Sequence, residues 1–251
     1  MPADYDVLAP IYDETGMNNF GASMTPRALD FVQRNDWMGR QILDLGCGTG
    51  ASLQYLTTHG YIVTAVEKSE VMLERAKNQI DSSRYQVRWL QQDIRALENL
   101  SDIDLAIALN VLNELDSLQE INKVFASVQT TLKSGKLFVF DMYTTEGLLE
   151  RSDIIDNIYF DNQKDLFIVT HDSFDYEKLT QRRDYTIFRQ NEVGWQREQA
   201  SRILRSYSIK AIATQLSRSG LNLLHVLKID FKPYSPESKN VTRVIFVAQK
   251  R

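Results

Sequence analysis

The chain has 251 residues, 43% of them hydrophobic, enough to bury a full core and better suited to one large α/β domain with an elaboration than to two equal domains. A net charge of -4, with no run of lysines or arginines, argues against nucleic acid or an anionic membrane surface as partner and leaves small molecules. The single cysteine, Cys47, rules out an intramolecular disulfide and a cysteine-based metal cluster.

Met1 to Val7 carries acids and no apolar stretch, and no segment reaches the roughly 20 apolar residues that span a bilayer, so the expectation is a cytoplasmic protein without a signal peptide. Tyr5-Asp6 and Tyr12-Asp13 repeat a Tyr-Asp pair seven residues apart, which at helical spacing sets both tyrosines on one side, with Pro10 between them. Thr25 followed by Pro26 reads as an N-cap and first-turn proline that opens a helix through Leu29 and Val32. Residues 1–40 are expected to form a helical lid, with Tyr12 and Phe20 facing a ligand.

Next comes an apolar run that ends in an acid and a glycine-dense turn, Ile42-Leu43-Asp44-Leu45-Gly46-Cys47-Gly48-Thr49-Gly50. Gly46, Gly48 and Gly50 let a strand stop, reverse and enter a helix with no Cβ between the backbone and whatever docks there. The helix expected over Ala51 to Thr58 aims its free N–H groups at the same spot. Tyr61 to Val66 reads as a buried parallel strand that ends at Glu67, 21 positions after Gly46, where an acid can accept both hydroxyls of a ribose. Ser69 caps a helix through Leu73, Ala76 and Ile80, and a third strand, Val87 to Leu90, leads to Gln92-Asp93-Ile94. Asp44, Glu67 and Asp93 thus end successive strands, whose carboxyl ends line one crevice.

With Asp104-Leu105-Ala106-Ile107-Ala108-Leu109-Asn110 and Leu132-Lys133-Ser134-Gly135-Lys136-Leu137, this order resembles the class I S-adenosylmethionine-dependent methyltransferases over Ile42 to Asp141. The resemblance implies a Rossmann-like, seven-stranded, doubly wound α/β sheet and S-adenosylmethionine as cofactor. It implies that Gly46, Cys47, Gly48 and Gly50 cradle the methionyl portion, with Asp44 beside its ammonium. Glu67, with Lys68 next to it, would hold the ribose diol and Asp93 the adenine amino group. Ile94 would lie against the ring, and the backbone around Leu109 would approach the sulfonium. A dinucleotide-binding loop also satisfies the glycines, but Asp44 would repel a pyrophosphate and suits a cationic ammonium.

Farther on, Leu118, Ile121, Phe125, Val128 and Leu132 mark an amphipathic helix ended by Gly135, and the strand Leu137 to Phe140 runs into Asp141 and Tyr143. From Arg151 to Ser206 the pattern turns to period-two alternation, in Leu166 to Thr170 and Asp184 to Phe188, with a turn at Asn191 to Gly194. A small antiparallel β insertion after the fifth strand is the expectation. It resembles the sheet that some small-molecule methyltransferases carry there, including sugar N,N-dimethyltransferases, as a cover for the substrate or a homodimer interface. Arg183, Arg197 and Arg202 within it could meet an anionic substrate. Ser208 then caps a helix ended by Gly220, and Leu221 to Ile229 with Arg243 to Ala248 close the sheet. The organisation expected is a lid over 1–40, a cofactor-binding core over 41–150, the insertion over 151–206 and completion of the core over 207–251.

These readings lead to a methyltransferase that acts on a small-molecule amine, carboxylate or hydroxyl by in-line transfer. His59 and His225 fall away from the crevice, and His171 in the insertion is the one histidine placed to act as base. Without an obvious base, the expectation is an acceptor that attacks undeprotonated, oriented by Tyr12, Asn110 and Tyr143. The alternatives are a nucleic-acid methyltransferase, a non-catalytic adenosylmethionine-binding module and an NAD(P)-dependent oxidoreductase. Asn110-Val111-Leu112-Asn113 lacks the Pro-Pro-aromatic clamp of base-amino methylation.

Overall fold

Alternation along the first apolar run sends Ile42 to one face of a sheet and Leu43 and Leu45 to the other, so a strand with this sequence must be covered on both sides. The computed structural model, which describes residues 4–153 and 155–251, provides that cover. The chain opens with α1 (Tyr5–Leu8), a 3-10 turn (Ala9–Ile11) and α2 (Asn19–Arg34). It continues through β1 (Gln41–Leu45), α3 (Ala51–Thr58), β2 (Ile62–Glu67), α4 (Glu70–Gln79), β3 (Val87–Gln91) and β4 (Ile103–Ala108). A second 3-10 turn (Leu112–Glu114) precedes α5 (Leu118–Thr131), β5 (Leu132–Tyr143) and α6 (Thr145–Glu150). Four strands follow, β6 (Asp156–Asp161), β7 (Leu166–Asp175), β8 (Thr180–Asn191) and β9 (Gly194–Arg205), and then α7 (Ile209–Arg218), β10 (Leu221–Lys228) and β11 (Arg243–Lys250).

The large sheet has seven strands in the order β10-β11-β5-β4-β1-β2-β3, and β11 is antiparallel to both its neighbours. The order reverses direction between β1 and β4, which opens a crevice at the carboxyl ends of those strands. One apolar layer joins α2, α3 and α4 to one face through Leu29, Leu53 and Leu73. A second joins α5 and α7 to the other through Phe125 and Leu216, with Phe138, Phe140 and Phe246 beneath them. The expected insertion is a separate four-stranded antiparallel sheet, β6-β7-β8-β9, after β5. A third apolar cluster packs Leu8, Ile11 and Tyr12 against Ile168, Tyr185 and Ile187 of that sheet. Among the described residues no helix is long and apolar enough to cross a membrane.

Two local expectations are corrected. Thr25 and Pro26 do not open a helix, because α2 begins at Asn19 and Pro26 lies inside it. The proline removes a backbone donor at that turn, while Thr25 Oγ1 donates to the Gly21 carbonyl at 2.8 Å and lies 2.9 Å from Ser52 Oγ, whose hydroxyl can donate to it, tying α2 to α3. Gly135 does not end α5, which stops at Thr131 because Leu132 already pairs with Ile103 of β4. Gly135, at φ +74°, lies where the register shifts in β5. The caps at Ser69 and Ser208 form as expected, each accepting from a backbone N–H three residues on.

Thr144 caps α6 and its backbone N–H donates to the Thr242 carbonyl at 3.1 Å, so the helix lies directly on the chain entering β11. A Cβ on Gly147 would come within 1.9 Å of that carbonyl oxygen. Gly147→Ala should therefore lower the unfolding free energy by about 1–3 kcal/mol, measured as a lower urea midpoint at unchanged slope.

Candidate active site

The loop after β1 is held by β2, since Gly46 N–H and Cys47 N–H both donate to the Val66 carbonyl, at 2.8 and 3.0 Å. Gly46 and Gly48 have φ of +67° and +54°, a region that side chains disfavour. A Cβ on Gly46 would strike Val111 at 2.8 Å, whereas one on Gly48 would meet nothing within 4 Å. Gly48 therefore presents bare backbone to open space. That space is a cavity of about 740 Å³, lined on one side by Gly46, Gly48, Glu67, Lys68, Asp93, Ile94 and Leu109. Tyr5, Tyr12, Asn110 and Glu114 line the other side.

Asp44 lies behind the loop with Cys47 and is 2% exposed, and its Oδ2 has no hydrogen-bond partner. Burial, and then the nearby Glu67 charge, pushes its carboxyl up to about 7. An incoming cation would relieve both defects. Glu67 is fixed by the backbone: Oε2 accepts from Gly48 N–H at 3.0 Å, and Oε1 from Lys68 and Ser69 N–H at 2.8 and 2.9 Å. Burial raises its pKa, and those three N–H groups oppose the rise. Asp93 binds Arg95 through both carboxylate oxygens and has Lys68 Nζ at 3.2 Å. The Arg95 guanidinium holds its carboxyl well below the usual range. Asp44, Glu67 and Asp93 come from adjacent strands β1, β2 and β3; Glu67 and Asp93 line the cavity, and Asp44 is buried behind the glycine loop without lining it.

The amino-terminal segment closes the cavity from above. Asp13 accepts from Thr49 Oγ1 of the glycine loop and from Gln79 Nε2 of α4, and Asp6 accepts from Ser69 Oγ at 2.8 Å. Tyr5 and Tyr12 meet edge to face at 6.1 Å, on one side as their spacing suggests. Tyr5 Oη donates to Glu114, whose carboxylate also receives Arg202 Nε of β9 at 2.7 Å. Burial raises the Tyr12 phenol to about 12, so it stays protonated.

Asn110 has φ +65°, and its backbone N–H donates to Asp141 Oδ1 at 2.6 Å. Its side-chain oxygen accepts from Arg243 Nη2 at 3.0 Å. The Arg243 guanidinium is clamped between the rings of Phe20 and Tyr143, 3.6 and 3.7 Å from their centroids. Phe20 and Tyr143 thus cover a buried cation, and neither lines the cavity. His171 is corrected as a candidate base. It alternates to the exposed face of the inserted sheet, where Nδ1 pairs with Asp156 at 2.8 Å, and it does not line the cavity.

Residues 42–135 match the family model described as a methyltransferase domain. The chain is 27% identical over 212 residues to YqeM of Bacillus subtilis (strain 168), an alignment that covers 84% of each chain. It superposes on an S-adenosylmethionine-dependent methyltransferase from Clostridium acetobutylicum ATCC 824 with a TM-score of 0.83 at 23% identity, over 98% of each chain. The chain has the class I S-adenosylmethionine-dependent methyltransferase fold. The chain also resembles S-adenosylmethionine-bound CalS10, an amino pentose methyltransferase from Micromonospora echinaspora, at a TM-score of 0.72 and 16% identity, over 96% and 97% of the two chains.

The residues present fit the cofactor of this methyltransferase fold, since Asp44 is a buried acid short of one partner and Gly48 leaves the cradle open. Sequence reasoning missed Asp13 and Glu114, and it offered Arg202 to an anionic substrate, whereas Arg202 pairs with Glu114 and so joins the inserted sheet to the crevice. Asp13 had a signal in the repeated Tyr-Asp pair, and Arg202 one in its place on an inward-facing strand position.

Proposed function

We propose that this enzyme methylates a small molecule carrying a neutral amine or a carboxylate, by in-line transfer, inside the cavity beneath the amino-terminal segment. Asp44 would neutralise the cofactor's ammonium, and the bare backbone at Gly46 and Gly48, with Cys47 and Gly50 shaping the turn, would take the methionyl chain. Glu67, oriented by the Gly48 N–H, would accept the ribose hydroxyls. Asp93, with Arg95 and Lys68 holding its carboxylate at the rim, would face the adenine amino group, and Ile94 and Leu109 would supply apolar walls. S-adenosylmethionine supplies a sulfonium methyl that is already activated for displacement.

The protein's part is then alignment and exclusion of water. The observation that carries the reading is the orphaned Asp44 oxygen behind an open glycine cradle, on the wall of a cavity roofed by Tyr5 and Tyr12. Tyr12 keeps its proton and Glu114 is tied to Arg202 and Tyr5, so neither is free to act as base. That favours an acceptor with a lone pair available at neutral pH. The roof and a lining rich in carboxylates, Glu67, Asp93, Asp116 and Glu120 among them, oppose a nucleic-acid substrate, which calls for an open basic groove.

Incubation with labelled S-adenosylmethionine and a metabolite extract of the source cells, read by mass analysis, should give a methyl gain on a low-mass compound. Label in nucleic acid alone would overturn the small-acceptor reading. Calorimetry should show binding of adenosylhomocysteine and none of NAD.

A further inference from the structure

Four arginines lie behind the part of the cavity wall made by Asn110 and Glu114, none of them lining the cavity itself, and the chain supplies carboxylates for three of them. Arg183 of β8 is bound in a two-point clasp by Asp172 of β7, with Nε to Oδ1 at 2.8 Å and Nη2 to Oδ2 at 2.7 Å. Arg202 has Glu114, and Arg243 has Asp141 at 3.1 Å. Arg151, directly after α6, is the fourth. Its Nη1 donates to Tyr143 Oη at 2.9 Å and its guanidinium lies 5.0 Å from the Tyr143 ring centre. Among the described residues it makes no ion pair, and its Nε is shut off from solvent with no hydrogen-bond partner.

A guanidinium remains charged at any physiological pH, so burying one without an anion is costly. Burial pushes the Arg151 pKa down, and the positive charges of Arg183 and Arg202 push the same way. The carboxyl end of the six-residue α6 offers partial carbonyl charge only and leaves Nε unmet. The position is close to the chemistry. Arg151 touches Tyr143, Tyr143 stacks on Arg243, and Arg243 holds the side chain of Asn110 on the cavity wall. Asp44 is the buried acid lacking a cation on the cofactor side, and Arg151 is a half-buried cation lacking an acid beyond Asn110.

We propose that the missing anion arrives with the methyl acceptor: the acceptor bears an oxyanion, a carboxylate or a phosphate, that binds Arg151 beside the Tyr143 ring. This deepens the small-acceptor reading and rests on it. A planar fork with an unpartnered Nε suits two-point binding of either group once the side chain turns Nε toward the acceptor.

The test is calorimetry on the full chain saturated with adenosylhomocysteine, titrated with sodium benzoate, inorganic phosphate and neutral benzamide. Benzoate or phosphate should bind saturably at one site and benzamide should not, and whichever anion binds separates a carboxylate from a phosphate. Arg151→Met should weaken the bound anion at least tenfold, and Arg151→Lys, which keeps the charge and loses the fork, should fall between. Both variants should bind adenosylhomocysteine within about twofold of the wild type. No saturable anion binding to the wild type, equal binding of benzoate and benzamide, or unchanged anion affinity in Arg151→Met would overturn the proposal. The comparison of benzoate with benzamide needs no variant, so it decides even if Arg151→Met does not fold. Failure of the wild type to bind adenosylhomocysteine would instead overturn the methyltransferase reading, and this proposal with it.

Discussion

Asp44→Asn should bind adenosylhomocysteine about 10²–10³-fold more weakly than the wild type, yet melt at a higher temperature above pH 7. The first effect follows from removing one partner of a buried charge pair, which typically costs about 2–5 kcal/mol of binding. The second follows from linkage. The Asp44 carboxyl titrates near 7 in the folded protein, against about 4 in an unfolded chain, so between those values the native state binds the extra proton. Stability of the ligand-free protein from this group is therefore greatest below about pH 4 and declines as pH rises to about 7. The decline is on the order of 4 kcal/mol, and asparagine does not suffer it. Melting curves of both proteins at pH 5 and pH 8 check the sign. The wild type should also lose affinity for adenosylhomocysteine about tenfold per unit as pH falls below 7, because Asp44 must release its proton to hold an ammonium. Equal affinity at pH 5.5 and 7.5 would remove Asp44 from the site.

Arg243→Leu should produce the largest loss of stability, about 3–5 kcal/mol, read as a fall in melting temperature of roughly 10 °C. Arg243 and Asp141 have side chains 5% and 0% exposed, and removing the cation leaves the acid without a charge partner between β5 and β11. Burial already raises the Asp141 pKa against the pull of Arg243, so the carboxyl has little tolerance for losing that partner. The guanidinium also fills the slot between Phe20 and Tyr143, and it is the group that fixes the Asn110 side chain. Transfer activity should fall with stability, and Asp141→Asn in the same background should restore part of the melting temperature by neutralising the stranded charge.

The core was legible because its signals are local. Ile42 to Gly50 is an apolar strand followed by residues that only a tight reversal needs, and Ser69 and Ser208 cap helices through bonds three residues long. The acids of β1, β2 and the residues after β3 could be placed at one end of the sheet because parallel strands share a carboxyl edge. The acceptor side was not legible, because its contacts join distant parts of the chain. Arg202 and Glu114 are separated by 88 positions and carry no mark that they pair. β6 and β9 escaped notice because Asp156–Asp161 is mostly exposed and the inward positions of β9 include Arg202 as well as Ala200 and Leu204. Pro26 misled because a proline inside a helix is tolerated when packing on both sides, here Met24 and Ala28, outweighs one lost bond.

The third apolar cluster has a bearing on how the molecule is made. Asp4 accepts from the Ser201 backbone across 197 positions, and Leu8 and Ile11 belong under strands that the ribosome delivers long after them. That helix therefore docks only after the inserted sheet exists, and until then its greasy side is open to proteases and to chance association. A shortened version begun at residue 41 would carry the complementary defect for its whole life, with Ile168, Tyr185 and Ile187 stripped of their amino-terminal cover.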